Sequence, residues 1–99
     1  MIIEILHEDK TVIKIALSGK LDANNVANEA SKFYTLLNSR KRRVIVDLSD
    51  VSFLASMGIR MLLTASKDIK RNGYTLKIEN APVEVEKTLV TAGLQDLLV

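Results

Sequence analysis

The chain has 99 residues, of which 47% are hydrophobic and 26% charged, as expected for one globular domain and not for a disordered or fibrous chain. It contains no cysteine, which excludes disulfide bonds, a thiolate nucleophile and cysteine-ligated metal sites. A formal net charge of +2 gives no indication of nucleic-acid binding. No apolar run approaches the roughly 18 residues of a membrane span, and Glu4 interrupts the apolar start that a signal peptide needs. We therefore expect a cytoplasmic protein without a membrane segment.

The N-terminal part of the chain predicts a hairpin and a helix. The segments IIEIL and TVIKIALSGKL alternate apolar with polar or small residues on either side of the turn-like residues 7–10, which indicates a β-hairpin. Asp22 then precedes a segment in which apolar residues recur every three or four positions, at Val26, Ala30, Phe33 and Leu37. This pattern predicts an amphipathic helix with Asp22 as its N-cap. We interpret the basic cluster Arg40–Arg43, which follows the helix, as a solvated turn.

The central part of the chain predicts a buried strand and a second helix. Residues 44–48, VIVDL, are apolar on both faces of a strand at positions 44–46, which is typical of an interior strand covered by helices. We expect residues 49–54 to form a loop. A helix follows, ended by Asn72 and Gly73. Its predicted apolar stripe consists of Ile59, Leu62, Leu63, Ser66 and Ile69.

The C-terminal part adds one strand and one helix. Residues 74–79 alternate as a strand, and Pro82 opens a helix that Gly93 ends, with Val83, Leu89 and Val90 expected to face the core. The apolar ending 97–99 is either the start of a further strand or a segment that docks on the domain. The order β-β-α-β-α-β-α predicts one α/β domain over residues 1–99, with a mixed sheet whose parallel strands are joined by helices.

The inventory of reactive side chains does not support an enzyme. His7 is the one histidine, and neither a GxSxG motif nor a P-loop is present. Asp47 ends a predicted central strand, as the phosphoaccepting aspartate of response-regulator receivers does, but that chemistry needs a further pair of acids to hold Mg²⁺. Glu8 and Asp9 lie in the predicted hairpin turn instead, so we interpret Asp47 as a turn-forming or capping residue. No bound cofactor or metal is expected.

One small polar residue, Ser56, stands among apolar residues in the stretch FLASMGIRMLL. It is positioned to cap a helix that begins near Met57, a role worth roughly 1 kcal/mol. If Leu54 and Met57 are exposed, a phosphate on Ser56 would instead place charge in an apolar contact surface; if both are core residues, Ser56 is simply a cap. The competing hydroxyls, of which Ser52 is the strongest, are Ser49, Ser52, Thr64 and Ser66.

The segment VIVDLSDVSFLASMGI, residues 44–59, resembles the signature of STAS domains. This family comprises anti-sigma factor antagonists and related sensory and transporter-associated modules. The segments SGKLD at 18–22, NAP at 80–82 and AGL at 92–94 match further pieces of the family pattern in the same order. The resemblance covers nearly the whole chain and implies a sheet with helices packed mainly on one face.

In bacterial antagonists of this family, an Asp-Ser-Ser-Gly tetrad carries the serine that a partner kinase phosphorylates. With Gly58 aligned on the glycine of the tetrad, the resemblance implies that Ser56 is the phosphoacceptor. Ala55 and Met57 replace the aspartate and the second serine. Asp22 is expected near Ser56, because the connections that follow parallel strands open on the same sheet edge. The expected partner-binding residues are Asp22, Leu54, Ala55, Met57, Gly58 and Arg60.

The resemblance implies a regulatory protein of a partner-switching pathway. Its unphosphorylated form would bind a serine kinase of the histidine-kinase-like ATPase fold that doubles as an anti-sigma factor, and phosphorylation of Ser56 would release it. A PP2C-type phosphatase would reset it. Neither nucleic acid nor a membrane is an expected partner. Two alternatives remain: a STAS scaffold or subunit of a larger sensory or transport complex, which Ala55 and Met57 favour, and a nucleotide-binding protein that holds phosphate at a helix N-terminus.

Overall fold

The computed structural model describes residues 1–99 and consists of a four-stranded sheet, three α-helices and a short 3-10 helix. The strands are β1 (Ile2–Glu8), β2 (Val12–Leu21), β3 (Arg43–Leu54) and β4 (Leu76–Glu79). The helices are α1 (Ala23–Asn38), α2 (Ser56–Arg71) and α3 (Val83–Thr91), and the 3-10 helix is Gln95–Leu97. The predicted order of elements is confirmed.

The sheet is mixed and its strands lie in chain order, β1-β2-β3-β4. β1 and β2 form the predicted antiparallel hairpin, whereas β2 pairs with β3, and β3 with β4, in parallel. Parallel neighbours cannot be joined by a tight turn, so a helix makes each crossover: α1 joins β2 to β3, and α2 joins β3 to β4. This arrangement brings the carboxyl ends of β2 and β3 to the same edge of the sheet.

All three helices pack on one face of the sheet. The strand residues that face them are fully or almost fully buried, for example Ile15, Val46 and Ile78. The helices add their own buried side chains to this core, namely Val26, Phe33, Leu37, Met61, Leu62, Ala65, Ile69, Val85 and Leu89. The opposite face carries half-buried or exposed residues such as Lys14, Ile45, Lys77 and Glu79, including a Lys14–Glu79 ion pair of 2.7 Å. The expectation that β3 is covered by helices therefore holds for one face.

Strand β3 extends six residues beyond the predicted end at Leu48, so residues 49–54 are strand and not loop. Its pairing with β2 shifts register twice, between Ala16 and Ser18 and between Gly19 and Lys20. Gly19 adopts a left-handed backbone with φ of +86°. These bulges break the two-residue alternation, and the inward residues from Leu48 onwards recur every third position. Because the apolar residues do not alternate with a period of two, the sequence of residues 49–54 does not indicate a strand.

Two helices present different faces to the core than their sequences predict. In α2 the buried residues include Met61 and Ala65, whereas Leu63 and Ser66 of the predicted stripe are half-buried. In α3 the buried residues are Val85 and Leu89. Val83 and Val90 are 67% and 47% exposed, so the prediction that they face the core is wrong. Two faces of α3 carry apolar residues at helical spacing. The way in which the chain packs after β4 determines which of the two faces is buried.

The last residues dock beside β4. Leu98 forms a parallel bridge with Ile78, and the Val99 N–H donates to the Ile78 carbonyl at 2.9 Å. The apolar ending thus docks through one strand-like pairing. None of the helices has both the length and the apolarity that crossing a bilayer requires.

The basic cluster Arg40–Arg43 is partly engaged within the domain. The Arg40 Nε and Arg42 Nη1 atoms lie 2.7 and 3.1 Å from Glu8 Oε2. Arg42 also donates to the Asp9 carbonyl. These contacts join the connection after α1 to the β1–β2 turn, so two of the four basic residues have a structural role.

Candidate functional site

The candidate site lies where β2 and β3 end and α2 begins. Leu21, the last residue of β2, pairs with Leu54, the last residue of β3. The Ala55 N–H then donates to the Leu21 carbonyl at 3.1 Å. Asp22 directly follows Leu21 and Ser56 directly follows Ala55, so the two connections lie side by side, as the parallel topology predicts.

Asp22 is the N-cap of α1, as predicted. Its Oδ1 accepts a hydrogen bond of 3.0 Å from the Asn25 N–H, and its carbonyl accepts from the Val26 N–H at 2.9 Å. Asn25 also donates through its side chain to the Lys20 carbonyl at 2.8 Å, which closes the turn between β2 and α1. The carboxylate of Asp22 is therefore occupied by its own helix.

Ser56 is the first helical residue of α2 and not its N-cap, so the capping prediction is wrong. The N-cap is Ala55, whose backbone is extended (φ −94°, ψ 175°) and whose carbonyl accepts from the Ile59 N–H at 3.0 Å. Strand β3 runs to Leu54, which leaves one residue for the transition and shifts the helix start to Ser56. The hydroxyl of Ser56 is free of the capping role, and its side chain is exposed.

The first turn of α2 has no side-chain cap, because alanine offers no acceptor. The N–H groups of residues 56–58 precede the first intrahelical bond, so they keep their hydrogen-bonding capacity. Lys70 and Arg71 lie in the last turn, where their charge complements the helix dipole. The start of α2 is therefore the positive end of a helix without a compensating acid in its first turn.

Two apolar side chains flank Ser56 on the surface. Phe53 is 51% exposed and Met57 is 39% exposed. Leu54, in contrast, is 6% exposed and packs in the core, so the expectation that it contacts a partner is wrong. The bulges in the β2–β3 pairing turn Leu54 inward and Phe53 outward. The sequence pattern did not identify Phe53 as a surface residue, because residues 49–54 were expected to form a loop.

Gly58 is buried and contributes packing instead of a contact surface. A Cβ at this position would lie 2.7 Å from the Leu21 carbonyl oxygen and 2.7 Å from Leu54 Cδ1. The absence of a side chain lets the first turn of α2 approach the end of β2. Gly58 therefore sets the position of Ser56 and presents no surface of its own.

The remaining expected partner contacts differ in accessibility. Ala55 is half-buried, whereas Arg60 is exposed. The arginines that form side-chain hydrogen bonds are Arg40, Arg42 and Arg71. Arg60 forms no hydrogen bond or ion pair, which leaves its guanidinium available at the surface one turn beyond Ser56.

The competing hydroxyl groups differ in accessibility and in hydrogen bonding. The Ser49 hydroxyl donates to Asp47 Oδ1 at 2.7 Å, and Ser66 is half-buried. Ser52 and Thr64 are exposed. Ser52 lies on β3, next to Phe53, so it stays the strongest rival of Ser56 as a phosphorylation site.

Asp47 is a buried acid that ties β3 to the segment after β4. Its carboxylate accepts from the Ser49 N–H at 2.8 Å and from the Asn80 amide at 2.9 Å. Burial acts to raise the pKa of Asp47, but these hydrogen bonds and the charge of Lys14 outweigh it and hold the pKa below its ordinary value. The bond to Ser49 is turn-like, as predicted, while the link to Asn80 was not foreseen.

The structure contains no cluster of three or more His, Asp or Glu residues that would form a metal site.

Solved structures show the same fold at low identity. The anti-sigma factor antagonist SpoIIAA in its unphosphorylated form matches with a TM-score of 0.83 at 19% identity, over 99% of this chain and 86% of that chain. Bacillus SpoIIAA in its phosphorylated form matches with a TM-score of 0.76 at 18% identity, over 99% and 89% of the chains. The murine anion transporter Slc26a9 in its inward-facing state matches with a TM-score of 0.76 at 22% identity, over 91% of this chain and 15% of that chain.

The family match is independent of these superpositions and covers both connections of the candidate site. The STAS domain family model matches residues 4–98, which is nearly the whole chain. The fold, with its mixed sheet covered by helices on one face, agrees with the expectation from the motifs around Ser56. The chain therefore belongs to the STAS domain family.

Proposed function

We propose that this chain is an anti-sigma factor antagonist-like regulator of a bacterial partner-switching pathway, acting in the cytoplasm and controlled by phosphorylation of Ser56. The observation that carries the proposal is the position of Ser56: it is exposed at the first turn of α2, between the exposed side chains of Phe53 and Met57. In the family tetrad the same position carries the phosphorylated serine. The role is regulatory and not enzymatic.

The partner of the unphosphorylated form is a serine kinase of the histidine-kinase-like ATPase fold that also acts as an anti-sigma factor. Phe53 and Met57 supply apolar area, which is the main source of association free energy. Binding of this chain would occupy the kinase and free its other target. A PP2C-type phosphatase would restore the binding-competent form.

A phosphate on Ser56 affects the isolated domain and the complex differently. It carries about −1.5 to −2 charges, and beside the positive end of α2 it stabilises the domain by about 0.3 to 1 kcal/mol. In a complex, the same dianion must lose water among apolar side chains, which costs several kcal/mol unless the partner pairs it. A cost of about 2.7 kcal/mol already weakens binding a hundredfold. Phosphorylation would thus release the partner without a change of fold.

The two departures from the family tetrad have physical consequences for this surface. Met57 adds exposed apolar area where the tetrad has a second serine. Ala55 removes the acid that would otherwise sit at the N-cap and repel a phosphate on the next residue. Both replacements change the surface that a phosphate on Ser56 would alter, but they also remove tetrad residues that a kinase would meet beside Ser56, and for that reason they favour the second candidate function given below.

Phosphorylation is tested with the purified chain, ATP and a serine kinase of the histidine-kinase-like ATPase fold from the source cells. We expect one phosphate, which mass spectrometry of peptides assigns to Ser56. Ser56→Ala should abolish the modification, and Ser52→Ala, the matched control on the same surface, should leave it intact. Phosphate on Ser52, or none on either residue, would contradict the proposal.

Release of the partner is tested by calorimetry with the same kinase. Ser56→Glu should weaken binding by a factor of ten or more, while Ser52→Glu, which adds the same charge at a neighbouring exposed residue, should weaken it less. Equal affinities of Ser56→Glu and the unmodified chain would argue against the electrostatic mechanism.

A second candidate function is a STAS scaffold or subunit of a larger sensory or transport complex. The likeness to a segment of the Slc26a9 transporter chain and the replaced tetrad residues, Ala55 and Met57, favour it. Affinity purification from the source cells separates the two functions. A scaffold would bring down a stable partner and carry no phosphate, whereas a switch component would bring down a kinase and carry phosphate on Ser56.

A further inference from the structure

Arg60 is an exposed cation in α2 that has no partner in the domain. It forms no ion pair, unlike Arg71 at the end of the same helix, whose Nη1 lies 3.1 Å from Asp68 Oδ1. The positions that neighbour Arg60 on its own helix face hold no acid: they are Met57, Leu63 and Thr64. The remaining neighbour, four residues before Arg60, is Ser56.

The geometry of the helix directs Arg60 towards Ser56. Residues four apart lie on the same helix face, with Cβ atoms about 5 to 6 Å apart. Side chains of a helix lean towards its N-terminus, so a long side chain covers the turn that precedes its own Cα. The guanidinium of Arg60 is therefore long enough and suitably directed to reach the space in front of the Ser56 hydroxyl, which is exposed.

We propose that Arg60 is a positioning residue that binds the phosphate of phosphorylated Ser56 within the same helix. This inference rests on the proposed phosphorylation of Ser56. A guanidinium donates two parallel N–H bonds to two phosphate oxygens, which gives the pair a defined orientation as well as a charge interaction. The phosphate is then held against α2 and not extended into solvent.

If Arg60 pairs with the phosphate, phosphorylation of Ser56 changes two features of the surface at once. In the unphosphorylated chain, the charge of Arg60 is available to a partner. In the phosphorylated chain, the dianion appears beside Phe53 and Met57, and Arg60 is withdrawn from the surface by pairing with it. A partner that uses Arg60 as a contact would lose that contact at the same moment as it meets the new charge.

The test is a ³¹P NMR titration of the full chain with phosphoserine incorporated at position 56 during synthesis. A nearby cation stabilises the doubly charged phosphate and lowers its second pKa, which lies near 6 for a free phosphoserine. Arg60→Gln removes the guanidinium and keeps the N–H groups of the helix start, so it separates the arginine from the helix dipole. Lys67→Gln is the matched control: Lys67 is exposed, and roughly 16 Å further along α2 than Ser56.

We expect the phosphate pKa of Arg60→Gln to exceed that of the unsubstituted chain by at least about 0.3 unit. Lys67→Gln should stay within about 0.1 unit, because its distance exceeds the Debye length of about 8 Å at physiological salt. Arg60→Lys, which keeps the charge, should recover at least half of the shift. The other charged groups on neighbouring elements, the acids Asp22 and Glu84 and the cations Lys20 and Lys87, are unchanged in every variant, so their effects cancel in the comparison.

An Arg60→Gln titration that coincides with that of the unsubstituted chain would overturn the inference, as would equal shifts in Arg60→Gln and Lys67→Gln. Because phosphoserine is installed without a kinase, this result does not depend on whether Ser56 is phosphorylated in the cell. The kinase experiment described above decides that separate question.

Discussion

Replacement of Gly58 by alanine tests the way in which the candidate site is built. Gly58 lies in the first turn of α2, and an added Cβ would approach the Leu21 carbonyl oxygen and Leu54 Cδ1 to 2.7 Å and the Leu21 Cβ to 2.8 Å. Carbon atoms in contact normally lie about 3.5 to 4.0 Å apart. The Leu21 carbonyl cannot move freely, because it accepts the Ala55 N–H that joins the ends of β2 and β3.

Two opposing terms set the magnitude of the effect. Overpacking of a core typically costs about 1 to 3 kcal/mol, and three close contacts, one of them to backbone, place Gly58→Ala in the upper part of that range. Alanine in place of glycine stabilises a helix interior by up to about 1 kcal/mol, and less in a first turn. We therefore expect a net loss of about 1 to 2 kcal/mol, equivalent to roughly 4 to 16 °C in Tm for a domain of this size.

Urea unfolding followed by circular dichroism measures this loss, with Thr64→Ala as the control. Thr64 is exposed in the middle of α2, so its replacement by alanine reports helix propensity alone and should stabilise by about 0.5 kcal/mol. If Gly58→Ala also matched or exceeded the stability of the unsubstituted chain, the close approach of α2 to Leu21 would not be a feature of the folded protein, and the reasoning would be refuted.

Three further predictions concern the same region and the buried acid. Ala55→Asp should supply the missing N-cap and raise the unfolding free energy by about 1 kcal/mol; an unchanged urea midpoint would speak against the uncapped helix start. Phe53→Ala should change stability by less than about 0.5 kcal/mol, whereas Leu54→Ala should cost about 2 to 5 kcal/mol; the reverse order would contradict their orientations. Because Asp47 has a lowered pKa in the folded state, it contributes stability above the unfolded pKa of about 3.9 that is lost as the pH falls through the folded value. Asp47→Asn should lose stability at neutral pH and flatten this acid limb in unfolding curves between pH 2 and 7; an unaltered pH profile would exclude this contribution.

The order of elements was predictable because each element carries a local pattern. Alternation marks the hairpin and β4, the spacing of Val26, Phe33 and Leu37 marks α1, and Pro82 marks the start of α3. The length of β3 was not predictable in this way. Its second half contains the extra residues of two bulges in the pairing with β2. Such bulges depend on pairing between strands, and here they replace alternation by a spacing of three.

The residues around Ser56 show where local patterns stop being informative. Whether Leu54 or Phe53 faces outwards depends on the register with β2. Because both residues are apolar, the sequence does not indicate which of them is exposed. The cap assignment depended on the last residue of β3, and a shift of one position moved Ser56 from the cap into the helix. The contact of Asp47 with Asn80 joins residues 33 apart in the chain, and no periodicity signals such a pair.

A switch at Ser56 can act through the surface alone, because the start of α2 is fixed from two sides. The Ala55 N–H bonds to the backbone at the end of β2, and Gly58 packs against the same strand end. A phosphate on Ser56 gains about 0.3 to 1 kcal/mol from the helix dipole in the free domain, too little and of the wrong sign to unfold the first turn. The several kcal/mol that a buried dianion costs at an interface then fall on the complex. Under the proposed phosphorylation of Ser56, the rigidity of this corner would therefore change the affinity for the partner, and not the structure of the domain.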